Sequence, residues 1–160
     1  MKVAEAIVRH GFNVEAPGVI KCGEIRIPLK SLGNALGIDR RTVRATTEDI
    51  CDDSLASFNP ELCEFFSKLR PAGPSLEMVR DVMGYGVVTI FVESPENPGI
   101  LSEVTSMIAG YGIPIRQVLA EDVAIYENPC LKVITEDPLP GRVIENLADI
   151  KGVRKVIIDK

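Results

Sequence analysis

Two stretches of the chain carry residue types whose spacing points to chemistry. The first is Glu93-Ser94-Pro95-Glu96-Asn97-Pro98-Gly99-Ile100-Leu101. Asn97 is a good helix cap and Pro98 a good first-turn residue. Gly99 lets a guest approach the backbone, and the first-turn N–H groups of a helix have no partner inside it. Such donors suit a carboxylate. Gly112-Ile113-Pro114 is the expected facing wall, with Gly112 leaving backbone accessible and Ile113 supplying apolar contact. The second stretch is basic. From Ile20 to Ala45 there are six basic residues (Lys21, Arg26, Lys30, Arg40, Arg41, Arg44) against two acidic ones (Glu24, Asp39). Arg40, Arg41 and Arg44 fall within the first turn and a half of one expected helix, where cations reach phosphates or base edges; Lys30 and Arg26 could touch the backbone of a nucleic acid.

Other candidate chemistry lacks partners. Glu121, Asp122 and Glu127 could pass for paired catalytic carboxylates, yet no basic or nucleophilic residue accompanies them, so a solvated loop is expected. His10 is the single histidine, and Cys22, Cys51, Cys63 and Cys130 include no CxxC pair, so neither a metal site nor a Cys/His nucleophile is expected. The thiols are expected to be reduced and mostly buried. With no glycine-rich phosphate loop either, the chain reads as a binding protein without a cofactor and not as an enzyme.

The elements that must position these residues change character near Gly84-Tyr85-Gly86. Upstream, apolar positions recur mostly at helical spacing. Val3, Ala4, Ile7 and Val8 share a helix face that Gly11 can end; Phe12 to Ile27 reads as a small β-ribbon broken at Pro17-Gly18 and Gly23. Pro28 to Leu36 then predicts a helix with Leu29, Leu32 and Leu36 inward, Gly37 breaks it, and Asp39 caps a second helix to about Cys51. Leu32, Gly33, Leu36, Gly37, Ile38 and Val43 match a helix-turn-helix pattern. The same pattern serves a hairpin used only for packing or dimerisation. That alternative stays open, because Thr46 stands where a larger apolar residue is expected and Glu48, Asp49, Asp52 and Asp53 follow, repelling phosphate. Short helices near Pro60 to Leu69 and Ser75 to Met83 complete the first part.

Downstream, Val87-Val88-Thr89-Ile90-Phe91-Val92 is a β-branched run suited to the centre of a sheet. A helix follows with Ile100, Leu101, Val104, Met107 and Ile108 as its buried stripe. Ile113 to Leu119 alternates as a strand, and Ala120 to Asn128 is a loop. A strand at Leu131 to Thr135, a helix carrying Val143, Ile144 and Leu147, and a last strand at Val153 to Ile158 complete the order βαββαβ. That order is the ferredoxin-like arrangement, one antiparallel sheet with both helices on one face. The expected fold class is therefore α+β: residues 1–53 a small, mainly helical helix-turn-helix domain, 54–85 a helical linker, and 86–160 the βαββαβ domain.

At 160 residues, with 46% hydrophobic and 5% aromatic content, the core must come mainly from Ile, Val and Leu. No apolar run approaches the roughly 20 residues that span a bilayer, and Glu5, Arg9 and His10 sit where a signal peptide would be apolar, so no membrane partner and a cytoplasmic location are expected. The net charge of -5 argues against indiscriminate nucleic-acid binding, but the total hides the local asymmetry of the basic stretch.

Pro98-Gly99-Ile100-Leu101 opening a helix, followed about a dozen residues later by Gly112-Ile113-Pro114-Ile115 in a βαββαβ frame, resembles an ACT domain over Gly86 to Lys160. The resemblance implies a small-molecule effector, usually an amino acid, held largely by backbone groups at a dimer interface between this loop and the turn before the second strand. Carried over residue by residue, it nominates Asn97, Pro98, Gly99, Ile100, Leu101, Gly112, Ile113 and Pro114 as ligand-binding. The chain departs from the family at Asn97, where Asp is frequent. The whole chain is also similar to archaeal ACT-containing regulators of amino-acid metabolism, including the stretch from Arg116-Gln117 to Glu127-Asn128-Pro129. The implied function is an amino-acid-sensing transcriptional regulator, a homodimer or higher homo-oligomer through its ACT domain, with Lys30, Arg40, Arg41 and Arg44 on DNA. An effector that orders the dimer interface would change the spacing of the two DNA-reading helices. The alternative is a regulatory subunit that binds the effector and acts on a biosynthetic enzyme by protein contact without touching DNA.

Overall fold

The apolar stripe Val3, Ala6 and Ile7 makes the first segment a helix, α1 (Lys2–His10), whose inner face is fully buried. In the computed structural model, which describes residues 2–158, the chain divides into two units, Met1–Gly73 and Pro74–Lys160.

In the first unit α1 is followed by a three-stranded antiparallel meander, β1 (Asn13–Ala16), β2 (Val19–Cys22) and β3 (Ile25–Ile27), turning at Pro17-Gly18 and Gly23-Glu24. The helices α2 (Leu29–Leu36) and α3 (Arg40–Cys51) follow, joined by Gly37-Ile38-Asp39. Gly37 ends α2 in the left-handed conformation (φ 67°), and the Ile38 N–H returns to the Gly33 carbonyl at 2.9 Å. Asp39 caps α3 by accepting from the Arg41 N–H at 2.7 Å. Gly33 is where the turn folds closest: a Cβ there would stand 2.7 Å from the Ile38 carbonyl oxygen. The buried face of α3 runs through Val43, Thr47 and Ile50. Thr46 lies beside that stripe and bonds back to the Thr42 carbonyl at 3.0 Å. Thr47 is completely buried; its Oγ1 accepts from the Gly18 N–H at 2.7 Å and donates to the Arg44 carbonyl at 2.6 Å, tying α3 to the β1–β2 turn. α4 (Pro60–Lys68), capped by Asn59 accepting from the Leu62 N–H, closes the core with Phe66 against Val3, Ile7, Val14, Leu32 and Ile50.

The second unit opens with a one-turn 3-10 helix at Leu76–Val79 and the short α5 (Arg80–Met83). Then come β4 (Gly86–Val92), α6 (Ile100–Gly110), β5 (Ile115–Ala120), β6 (Leu131–Thr135), α7 (Gly141–Ala148) and β7 (Val153–Ile158). The four strands lie in the order β5-β6-β4-β7 with every pairing antiparallel. β4 is central, and both its faces are covered, which is why its sequence is a continuous apolar run and not an alternation. Val88 and Ile90 pack with Val104, Ile108, Val143 and Leu147 from the helices, while Val87 meets Tyr85, Ile134 and Leu76 on the opposite face. The Leu76 segment is held there by Gln117, whose Oε1 accepts from the Leu76 N–H and whose Nε2 donates to the Pro74 carbonyl, both at 2.8 Å. Glu77 adds an ion pair to Lys132 at 2.8 Å.

Both units mix helices with an antiparallel sheet, so the fold is α+β. The segment 54–85, expected as a linker, is shared out: α4 belongs to the first core, and the 3-10 helix with α5 belongs to the second unit. The expected cap at Asn97 is corrected. α6 starts at Ile100, its cap position is Gly99 at φ 103° with no side-chain hydrogen bond, and the Asn97 N–H instead closes a turn onto the Ser94 carbonyl at 3.0 Å. Glycine takes that positive φ freely, so the chain makes one more bend after Pro98 before the helix begins.

Candidate functional site

Arg40, Arg41 and Arg44 stand on one side of α3, Lys30 on the first turn of α2 and Arg26 on β3. The first unit brings all five to a single cleft of about 530 Å3, whose lining is completed by Gly18, Ile27, Pro28 and Leu29. Among the described residues, no acidic one lines it. Pro28 gives α2 no side-chain cap, and its carbonyl accepts from the Ser31 and Leu32 N–H groups at 3.0 and 3.2 Å. One cation is partly engaged: the Arg44 Nε donates to Glu48 Oε1 at 2.8 Å along α3. That exposed i,i+4 pair is weak.

The second unit has a smaller and mostly apolar cavity of about 220 Å3. One wall is the loop between β4 and α6, where Asn97, Pro98, Gly99, Ile100 and Leu101 all line the space. The Gly99 cap position lends no side chain to the first-turn N–H groups of α6, which therefore lack a capping side chain. The other wall differs from the sequence expectation. It is made by Ala120 and Glu121 after β5 and by Pro129, Cys130 and Leu131 at the start of β6. Gly112, Ile113 and Pro114 are not in it. They follow the far end of α6, and eleven helical residues separate its ends by roughly 16 Å. Gly112 turns the chain at φ 70°, Ile113 packs on the core and the Pro114 carbonyl accepts from the Glu136 N–H at 2.9 Å.

The expected solvated loop is correct for two of its three carboxylates. Asp122 and Glu127 are exposed, and Asp122 closes a local turn onto the Ala124 N–H at 2.7 Å. Glu121 is half-buried in the cavity wall. Nothing in its neighbourhood along the chain marks it, because the residue that holds it, Cys130, lies nine positions away. Thr47 was equally hidden, since its partner Gly18 is 29 residues distant.

The four cysteines are free thiols; Cys130 is buried and the other three are half-buried. Cys51 and Cys63 bring their sulfurs to 2.7 Å between α3 and α4, and burial together with Cys63 pushes the Cys51 thiol up to about 12. His10 stacks on Phe12 with ring centres 5.4 Å apart. Among the described residues no group of three His, Cys, Asp or Glu side chains is gathered to hold a metal ion, and no helix is long and apolar enough to cross a membrane. A larger cavity of about 480 Å3 opens in the second unit beside Tyr85, Leu139, Ile144 and Ile158, away from every residue nominated from the sequence.

No protein-family model and no curated protein matches the chain. It is similar to a solved chain described as "Crystal structure of PH0061", at 17% identity and a TM-score of 0.26, with 99% of this chain and 86% of that one covered. A likeness of that size says nothing about activity.

Proposed function

We propose that the protein is an amino-acid-responsive regulator without catalytic activity, acting in the cytoplasm. In this reading the second unit is an ACT-type sensor of ferredoxin-like design that binds the effector, and the first is a helix-turn-helix that reads DNA. The observation that carries the sensor is the cavity beside the β4–α6 loop. Five residues from Asn97 to Leu101 share its wall, and at about 220 Å3 it lies below the roughly 300 Å3 at which drug-sized pockets begin, a space suited to a molecule the size of a free amino acid. The effector carboxylate takes the uncapped first-turn donors of α6. Gly112, Ile113 and Pro114 join the site from a second copy of the chain, so the sensor works as a homodimer.

Support for DNA comes from the cleft, where five cations meet with no carboxylate in the lining. The hold of Glu48 on Arg44, with Asp49 and Asp52 following, favours a second reading: a regulatory subunit that acts on a biosynthetic enzyme by contact alone. A triple variant, Arg40→Ala, Arg41→Ala and Arg44→Ala, separates the two. Under the leading reading DNA binding falls, and the slope of log affinity against log salt loses about one unit for each phosphate contact removed, while amino-acid binding persists. A wild-type chain that binds no DNA at low salt leaves the regulatory subunit as the surviving reading.

A further inference from the structure

The wall of the small cavity opposite the β4–α6 loop holds a charge. Glu121 leaves β5 and Cys130 enters β6, and the ladder brings them side by side, with the Glu121 N–H donating to the Cys130 carbonyl at 3.0 Å. Cys130 returns two bonds to one carboxylate oxygen: its N–H and its thiol both donate to Glu121 Oε2, at 3.1 and 3.2 Å. Burial and the adjoining carboxylate push the Cys130 thiol up to about 11, so near neutral pH the sulfur is a donor and not a second anion. Glu121 is thereby fixed through one oxygen. The other, Oε1, has no hydrogen-bond partner among the described residues, and no described basic side chain forms an ion pair with Glu121. Lys132, two residues further along β6, lies near enough to feel the Glu121 charge, but its hydrogen bonds go to both oxygens of Glu77 at 3.0 and 2.8 Å.

Among the described residues lining this cavity, Glu121 is the one acidic or basic side chain; the loop's contribution, Asn97 included, is uncharged or apolar. A carboxylate half-withdrawn from water at the edge of apolar surface attracts a cation strongly, and a compact one with several donors meets it best. An ammonium on a short apolar skeleton has that chemistry.

We propose that Glu121, oriented by Cys130 through Oε2, accepts the effector's ammonium group at Oε1 and so makes the cavity select amino acids over the oxo acids of the same skeleton. This rests on the sensor reading. It assigns the charge pairing to a strand-end residue of the opposite wall, while the loop supplies shape and backbone donors.

The full-length protein is screened by thermal shift against the twenty common L-amino acids and the 2-oxo acids that match them, and any binder is quantified by calorimetry on wild type and Glu121→Gln. The glutamine keeps an acceptor for the Cys130 donors. For a binding amino acid the oxo acid is expected to bind about 10- to 100-fold more weakly to wild type, the range of one charged hydrogen bond. In the variant the amino acid weakens by a similar factor while the oxo acid is unchanged, a difference that a merely structural role for Glu121 would not produce. An amino acid that binds wild type and Glu121→Gln alike, or binds no better than its oxo acid, overturns the assignment and leaves the sensor intact. If no amino acid binds wild type, the sensor reading itself fails and this assignment with it.

Discussion

The cleft of the first unit and the cavity of the second are made from different materials. In the cleft, helices α2 and α3 only space the functional groups; attraction comes from Arg26, Lys30, Arg40, Arg41 and Arg44, long side chains with charge at their tips. Such a surface draws any polyanion, does so more weakly as salt rises, and discriminates only where an individual arginine reaches a base. In the cavity, on the reading proposed above, backbone donors are the functional groups, with apolar side chains setting the volume and one carboxylate, Glu121, setting the charge. On that reading the site discriminates by fit and by one enclosed charge pair, and depends less on ionic strength than the open cleft. A chain carrying both can answer a small neutral signal with a large electrostatic output, provided the two are linked.

The comparison is broken most severely where a methyl group is placed against backbone. At Gly86 a Cβ would sit 2.6 Å from the Asp137 carbonyl oxygen and the Thr135 hydroxyl and 2.7 Å from the Pro138 Cα. At Gly33 it would sit 2.7 Å from the Ile38 carbonyl oxygen. Each Gly→Ala change is expected to destabilise its own unit by about 1–3 kcal/mol through overpacking. Gly33→Ala should impair DNA binding and spare the effector; Gly86→Ala should do the reverse. Calorimetric unfolding checks the point, because two units with separate cores predict that each variant lowers a different part of the transition. Equal movement of a single transition by both would remove the distinction between the regions.

A milder change sharpens it. Thr47→Val keeps the shape of the side chain but leaves the Gly18 N–H without its acceptor inside the first unit. The expected loss is about 1–2 kcal/mol in urea unfolding, within the range for a buried donor left unsatisfied, with faster hydrogen exchange at the Gly18 amide and unchanged effector affinity. Stability equal to wild type would mean that α3 does not depend on this bond for its seat on the β1–β2 turn.

How far the sequence revealed these sites follows from the same contrast. The cations of the cleft lie on two adjacent helices and one short strand, so local periodicity was enough to group them, and the Asp39 cap and the Gly37 break are local signals that hold. The loop wall of the cavity was legible because proline and glycine restrict or free their own backbone. The start of α6 was not, since the left-handed φ of Gly99 is one of several conformations a glycine can take. The opposite wall was the least legible part. Glu121 and Cys130 meet only because β5 and β6 pair, and the sequence of the loop between them does not state which residues the pairing brings together. Thr47 was missed for a related reason: its partner, Gly18, lies 29 residues earlier.

The proposed linkage between cavity and cleft is tested most directly by measuring DNA affinity at a fixed salt concentration with and without a saturating amino acid shown independently to bind the protein. DNA enriched by the protein from a random-sequence pool supplies the probe, and fluorescence anisotropy the readout. The two-site account predicts a change in affinity of about 5- to 150-fold, the range of ordinary allosteric coupling, with the same factor appearing in amino-acid affinity when DNA is saturating. An unchanged DNA affinity at full occupancy of the amino-acid site would contradict it.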